Sequence, residues 1–120
     1  SGVEPQRSIL ENKLLEKFKN STKKIVLVRG SNGEFNCVNK NIQVFNFAFD
    51  GELKKLILNA ETVICRSGYS TLMDLHLLNK EKIILIPTPG QTEQEYLADY
   101  WKEKFGAQTI QQKNILSSEL

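Results

Sequence analysis

The chain has 120 residues, 40% of them apolar and 25% charged, with a formal net charge of +2. That suffices for one domain around a single core, and the balanced charge argues against a nucleic-acid partner, which would need a basic face. No signal peptide opens the chain, and its longest apolar run, around "IILIP", falls well short of the roughly 20 residues that span a bilayer. Composition argues against a zinc site, since His76 is the single histidine and no CxxC occurs. Cys37 and Cys65 lack metal-type spacing and read as reduced thiols, which points to a cytoplasmic location.

Helix and strand signals then alternate. "SGVEPQRS" reads as a loop entering a helix, with Pro5 suited to the first turn and Ile9, Leu10, Leu14, Leu15 and Phe18 at helical spacing. "KKIVLVRG" is a continuous apolar run that predicts a strand over Ile25–Val28, buried on both faces and closed by Gly30. "SNGEFN" is a turn-rich connector. The alternating "IQVFNFAF" predicts a second strand over Val44–Phe47. Asp50 is a good N-cap for a short helix carrying Leu53, Leu56 and Ile57.

Val63–Cys65 is the third strand and leads through "RSGYST" into a leucine-rich helix. Ile83–Ile86 is the fourth, stopped by Pro87 and Pro89. In "TEQEYLADYWKEKFG", Thr92 and Glu95 form a capping box, Tyr96, Leu97, Tyr100, Trp101 and Phe105 a buried stripe, and Gly106 the C-cap. A short last strand lies near "AQTI", and in "NILSSEL" Ser117 or Ser118 would cap a helix that has barely begun. This alternation predicts an α/β fold with a Rossmann-like, doubly wound parallel sheet.

In such folds ligands collect where strand carboxyl ends lead into helix N-termini. Four loops fit that place: Ser1 to Arg7, Phe47 to Asp50, Arg66 to Thr71, and Thr88 to Glu95. Glycines, hydroxyls and free helix N–H groups in two of them suit a phosphate. Asp74 lies one turn into its helix on the side of Ser70 and Thr71, where a carboxylate can accept two hydrogen bonds from a ribose diol. Gln94 and Glu95 begin another helix and can reach sugar hydroxyls. Each piece has a plainer alternative: Gly68 as a backbone requirement, Thr71 as a cap, Asp74 as a helix-end charge. Together they describe a nucleotide-sugar pocket.

"CRSGYSTLMDL" followed by "LIPTPGQTEQEYLADYW" resembles the C-terminal, donor-binding domain of glycosyltransferase family 28, a GT-B family that includes the peptidoglycan N-acetylglucosaminyltransferase. The matching positions are Arg66, Ser67, Gly68, Thr71 and Asp74, then Pro87, Gln94 and Glu95. The resemblance implies that Ser67, Gly68, Ser70 and Thr71 hold the donor diphosphate, with Gly2 and its neighbours closing over it. It further implies that Asp74 binds the ribose, that the Phe49–Asp50 loop touches the base, and that Gln94 and Glu95 face the donor sugar. Asp74 and Glu95 depart from the commoner Glu and Gln.

The same resemblance implies a nucleoside diphosphate sugar as substrate, UDP-linked first, with no cofactor and no metal. The acceptor site and catalytic base would lie in an N-terminal domain or partner subunit, so that this single domain, a fragment on this reading, would bind the donor without turning it over. No catalytic residue is assigned within it. Membrane association enters only by analogy with relatives. Three other readings remain: a stand-alone binding subunit acting with a partner chain, half of a nucleotide-sugar 2-epimerase, and a flavodoxin-like phosphate-binding module.

Overall fold

Short β-branched runs separated by amphipathic segments form parallel strands, and the helices between the third and fourth and between the fourth and fifth strands return the chain to the same end of the sheet. A computed structural model describes residues 2–33 and 40–120; Cys37 and part of the expected "SNGEFN" connector lie outside them. Along the chain come α1 (Gln6–Phe18), β1 (Ile25–Val28), β2 (Ile42–Phe45), α2 (Asp50–Asn59) and β3 (Val63–Cys65). Then follow α3 (Tyr69–Leu77), β4 (Ile83–Leu85), α4 (Thr92–Phe105), β5 (Gln108–Thr109) and a 3-10 turn at Gln112–Asn114.

Every strand pairing of the described residues is parallel. Ile25 to Val28 run beside Ile42 to Phe45, Val63 to Cys65 beside Ile83 to Leu85, and Ile84 and Leu85 beside Gln108 and Thr109. The pairings form two ladders, β1–β2 and β3–β4–β5. The second is the hub. Along β4 and its extension, Ile83 and Leu85 join Ile57, Leu72, Leu75, Ala98 and Trp101 in one core, beneath α2, α3 and α4. Ile84 and Ile86 point the other way, into a core with Leu10 of α1, Ile110 and Ile115. A strand with apolar cover on both faces needs no polar alternation, which is why "IILI" is continuous.

Several sequence expectations shift. β1 is not buried on both faces, for Val26 is 45% exposed; the helical cover gathers on β4 instead. The second strand starts two residues earlier than expected, at Ile42 rather than Val44, and ends at Phe45. Its partner decides this: Phe45 lies opposite Val28, the last residue of β1, and Phe47 falls beyond the ladder and is exposed. The aromatic stripe of α4 is corrected too. Ala98 and Trp101 face the core, whereas Tyr96 is 66% exposed and Tyr100 and Phe105 are also exposed. Ala98 and Trp101, three residues apart on the helix, set the buried face, and Tyr96, Tyr100 and Phe105 fall outside it.

Helix ends show the same mixture. Gly106 closes α4 as expected, at φ 72°, its N–H donating to the Lys102 carbonyl. Thr92 forms no capping box with Glu95; Gln91 is the N-cap and gives no side-chain bond. Phe49, not Asp50, is the N-cap of α2, and Asp50 is the first helical residue.

The hub ranks the side chains by consequence. Leu85→Ala should destabilise the protein by about 3 kcal/mol through lost burial and a cavity, as read by urea denaturation. Leu77→Ala, at a position 74% exposed, should change stability by less than about 0.5 kcal/mol.

Candidate functional site at the carboxyl ends of the strands

Three helices, α2, α3 and α4, begin just after the carboxyl ends of β2, β3 and β4, and none has a side-chain cap on its first N–H groups. In α3 the first intrahelical bond runs from Leu72 N–H to the Gly68 carbonyl. The amides of Tyr69, Ser70 and Thr71 precede it and have no partner within the helix. Ser70, Thr71 and Asp74 are all exposed, on consecutive turns of one side. A helix start in this state presents donors and a positive dipole end together.

Gly68 stands at this start with φ −75° and ψ 146°, a conformation any residue adopts. A Cβ added there would meet nothing within 4 Å beyond its chain neighbours. The backbone therefore does not require glycine at this position. What glycine leaves is open space in front of the α3 amides.

Ser67 is placed differently from a phosphate ligand with a free hydroxyl. It is fully buried, and its Oγ donates to the Gln94 carbonyl at 2.7 Å. That bond joins the β3–α3 loop to the first turn of α4. The Gln94 side chain is engaged as well, its Oε1 accepting from the Thr88 N–H at 2.8 Å and closing the "TPGQT" turn. Glu95 remains exposed and lines a cleft of about 420 Å³ with Pro89, Gly90, Asp99, Gln111 and Lys113. Phe49 is 78% exposed, and no hydrogen bond among the described residues links Phe49 or Asp50 to the other loops. Gly2 is exposed at φ 114°, in the loop before α1.

That first loop is tied in through Arg66. Arg66 is 9% exposed, and its Nη2 donates to the Gln6 carbonyl at 3.0 Å and to Gln112 Oε1 at 2.7 Å. Nη1 donates to the carbonyls of Ile86 and Pro87 at 3.2 and 3.3 Å. Gln112 Nε2 in turn donates to Gln6 Oε1 at 2.8 Å. Burial lowers the Arg66 pKa from its ordinary value, yet a guanidinium stays charged in proteins.

A second polar cluster fills the end of β1. Arg7 Nη1 and Arg29 Nε both donate to Glu11 Oε1, at 2.8 and 2.7 Å, and Arg7 Nε donates to Glu4 Oε2 at 3.0 Å. Arg29 also reaches the Gly33 carbonyl and Asn46 Oδ1, at 2.6 and 3.1 Å. Arg7 is thus engaged in buried ion pairs rather than held ready for a phosphate. Burial alone would raise the Glu11 carboxyl, but hydrogen bonds from Arg29 and Arg7, with their charges, outweigh it and lower the pKa. The Ser8 hydroxyl and then Arg7 hold Glu4 below the usual carboxylate range. The Glu11 bond raises Arg7. The spacing of Glu4, Arg7 and Glu11 was a readable helix signal; Arg29 and Gln112 carried none.

Cys65 packs under the helices, and burial pushes its thiol up to about 12, so it is a core residue and no nucleophile at neutral pH. His76 packs edge-on against Trp101, with ring centroids 5.9 Å apart, and stacks obliquely on Phe105 at 5.2 Å. Among the described residues no cluster of three or more His, Cys, Asp or Glu could hold a metal, and no helix is long and apolar enough to cross a membrane.

Uncapped helix starts at the carboxyl ends of parallel strands place the chain in the class of α/β folds in which ligands generally bind at that edge. The comparison with known families is more specific. Residues 4–120 match the glycosyltransferase family 28 C-terminal domain, and the chain belongs to that family. Searches of curated proteins and of solved structures returned no match.

The ion cluster gives a pH signature. A carboxyl whose folded pKa is depressed stabilises the fold above its unfolded value, ordinarily 4.5, and loses that contribution as pH falls through the folded pKa. Glu11→Gln should therefore cost about 3 kcal/mol at pH 7, where it leaves two buried guanidinia undercompensated. The gap to the unaltered protein should narrow in denaturation curves recorded below pH 4.5.

Proposed function

We propose that this chain binds a nucleoside diphosphate sugar, UDP-linked in the first instance, as the donor-binding part of a hexosyl- or N-acetylhexosaminyltransferase. The observation that carries this reading is the α3 start: three unpartnered amides behind a glycine that the backbone does not need, in a chain of the glycosyltransferase family. The amides of the Gly68–Thr71 stretch and the hydroxyls of Ser70 and Thr71 hold the diphosphate. Asp74 accepts from the ribose hydroxyls. Phe49 and Asp50 meet the base, Glu95 the sugar, and Gly2 with its loop covers the phosphates. Ser67 and Gln94 contribute by joining the two loops rather than through their own side-chain donors.

In this reading transfer is a direct displacement at the anomeric carbon. The acceptor and the base that deprotonates it come from another domain or subunit. This chain stabilises the departing diphosphate with preorganised amides, which act where negative charge develops.

Calorimetric titration with a nucleoside diphosphate tests the reading. Gly68→Val should keep the fold, since the backbone there suits any residue and the added Cβ meets open space, and should abolish measurable diphosphate binding by filling the approach to the α3 amides. Unchanged affinity in a folded variant would remove this loop from the site.

Asp74→Ala tests the ribose contact separately. Loss of a hydrogen-bonded charged group should cost about 1.5–3 kcal/mol, or about one to two decades in Kd. The 2′-deoxy ligand should be weakened less by the same substitution. Equal weakening of both ligands, or none, would reject the ribose assignment.

A further inference from the structure

Arg7, Arg29 and Arg66 are buried guanidinia, and they are compensated in opposite ways. Arg7 and Arg29 share Glu11, with Glu4 adding a second carboxylate. Arg66 has only neutral acceptors: three main-chain carbonyls and the amide oxygen of Gln112. No Asp or Glu of the described residues pairs with it, and its Nε is buried without a hydrogen-bond partner. A cation taken out of water this way is costly, and a carboxylate partner at hydrogen-bonding distance would relieve the cost. The chain places one beside Arg7 and Arg29 but a carboxamide beside Arg66.

The position of Arg66 gives that choice a consequence. It lies two residues before the Gly68 N-cap, in the loop that leads into α3, so its positive charge adds to that of the α3 dipole end near the helix start. Fields of buried charges are weakly screened. We propose that Gln112 is a positioning residue that fixes Arg66 through a neutral acceptor, leaving one uncompensated positive charge to attract the diphosphate of the ligand. Glutamate at this position would hold Arg66 equally well and cancel its charge. The inference rests on the donor-site reading and deepens it, because affinity at the site then depends on the ligand's charge and on a residue outside all of its loops.

The test is calorimetric titration of the unaltered protein and of Gln112→Glu with uridine, uridine monophosphate and uridine diphosphate, alongside thermal unfolding. In Gln112→Glu the half-buried Gln6 amide can turn its NH2 towards the new carboxylate, so the melting temperature should be unchanged or raised. Affinity should fall in step with ligand charge: not at all for uridine, about threefold for the monophosphate and about tenfold for the diphosphate. Gln112→Met, which removes the acceptor without adding charge, should lower the melting temperature and weaken all three ligands alike. A Gln112→Glu protein that binds the three ligands as the unaltered protein does, or loses all three equally, overturns the proposal. Should Gln112→Glu fail to fold, Gln6→Glu places the same charge one hydrogen bond further from Arg66 and is judged by the same two outcomes. Failure of the unaltered protein to bind uridine diphosphate would instead overturn the donor-site reading itself.

Discussion

A guanidinium withdrawn from water must find oxygen atoms for its N–H groups, and Arg66 finds them in three separate segments. It reaches the first residue of α1, the end of β4 where Ile86 and Pro87 leave the sheet, and the turn after β5. These segments are otherwise distant in sequence, with Gln6 and Gln112 separated by nearly the whole chain and joined by their own side-chain bond. The loop entering α1, the turn after β4 and the turn after β5 therefore do not hang free. They are gathered on one buried cation, and the Ser67 bond to the Gln94 carbonyl adds the first turn of α4 to the same assembly.

Preorganisation of this kind explains how helix starts can remain uncapped. An isolated helix end gains from a Ser, Thr, Asp or Asn side chain folded back onto its first amides. Here the loop geometry is held from behind, by Arg66, Ser67 and Gln94, and the amides in front stay available. Such donors pay no reorganisation penalty when an anion arrives, which is the physical basis of electrostatic stabilisation in acyl and phosphoryl chemistry alike. The open space before Gly68 has the same origin: it is kept by what the surrounding loops do not fill.

The outer face of α3 and α4 follows a different rule. Tyr69, Tyr96, Tyr100 and Phe105 are exposed there, and a groove of about 230 Å³ runs between the two helices over Trp101. Trp101 belongs to the core under the helices, with His76 edge-on to its ring and Phe105 tilted against it at 4.4 Å between centroids. His76 belongs to this aromatic packing rather than to the polar edge.

The sequence by itself determined the order of helices and strands and the parallel sense of the pairing. Those follow from periodicity and from Pro and Gly at the element ends, which are local properties of the chain. It also marked Gly68, Ser70, Thr71 and Asp74 as neighbours at one helix start, because their spacing alone puts them on one side. Tertiary structure decided which strand carried the helical cover, where the second strand began, and which face of α4 turned inward. Each of these depends on the partner an element meets. The fates of Ser67, Gln94, Arg7 and Arg66 were decided the same way. A polar side chain at a loop is equally suited to a ligand or to a buried acceptor of its own chain, and only the position of Gln112, Glu11 or a distant carbonyl tells the two apart.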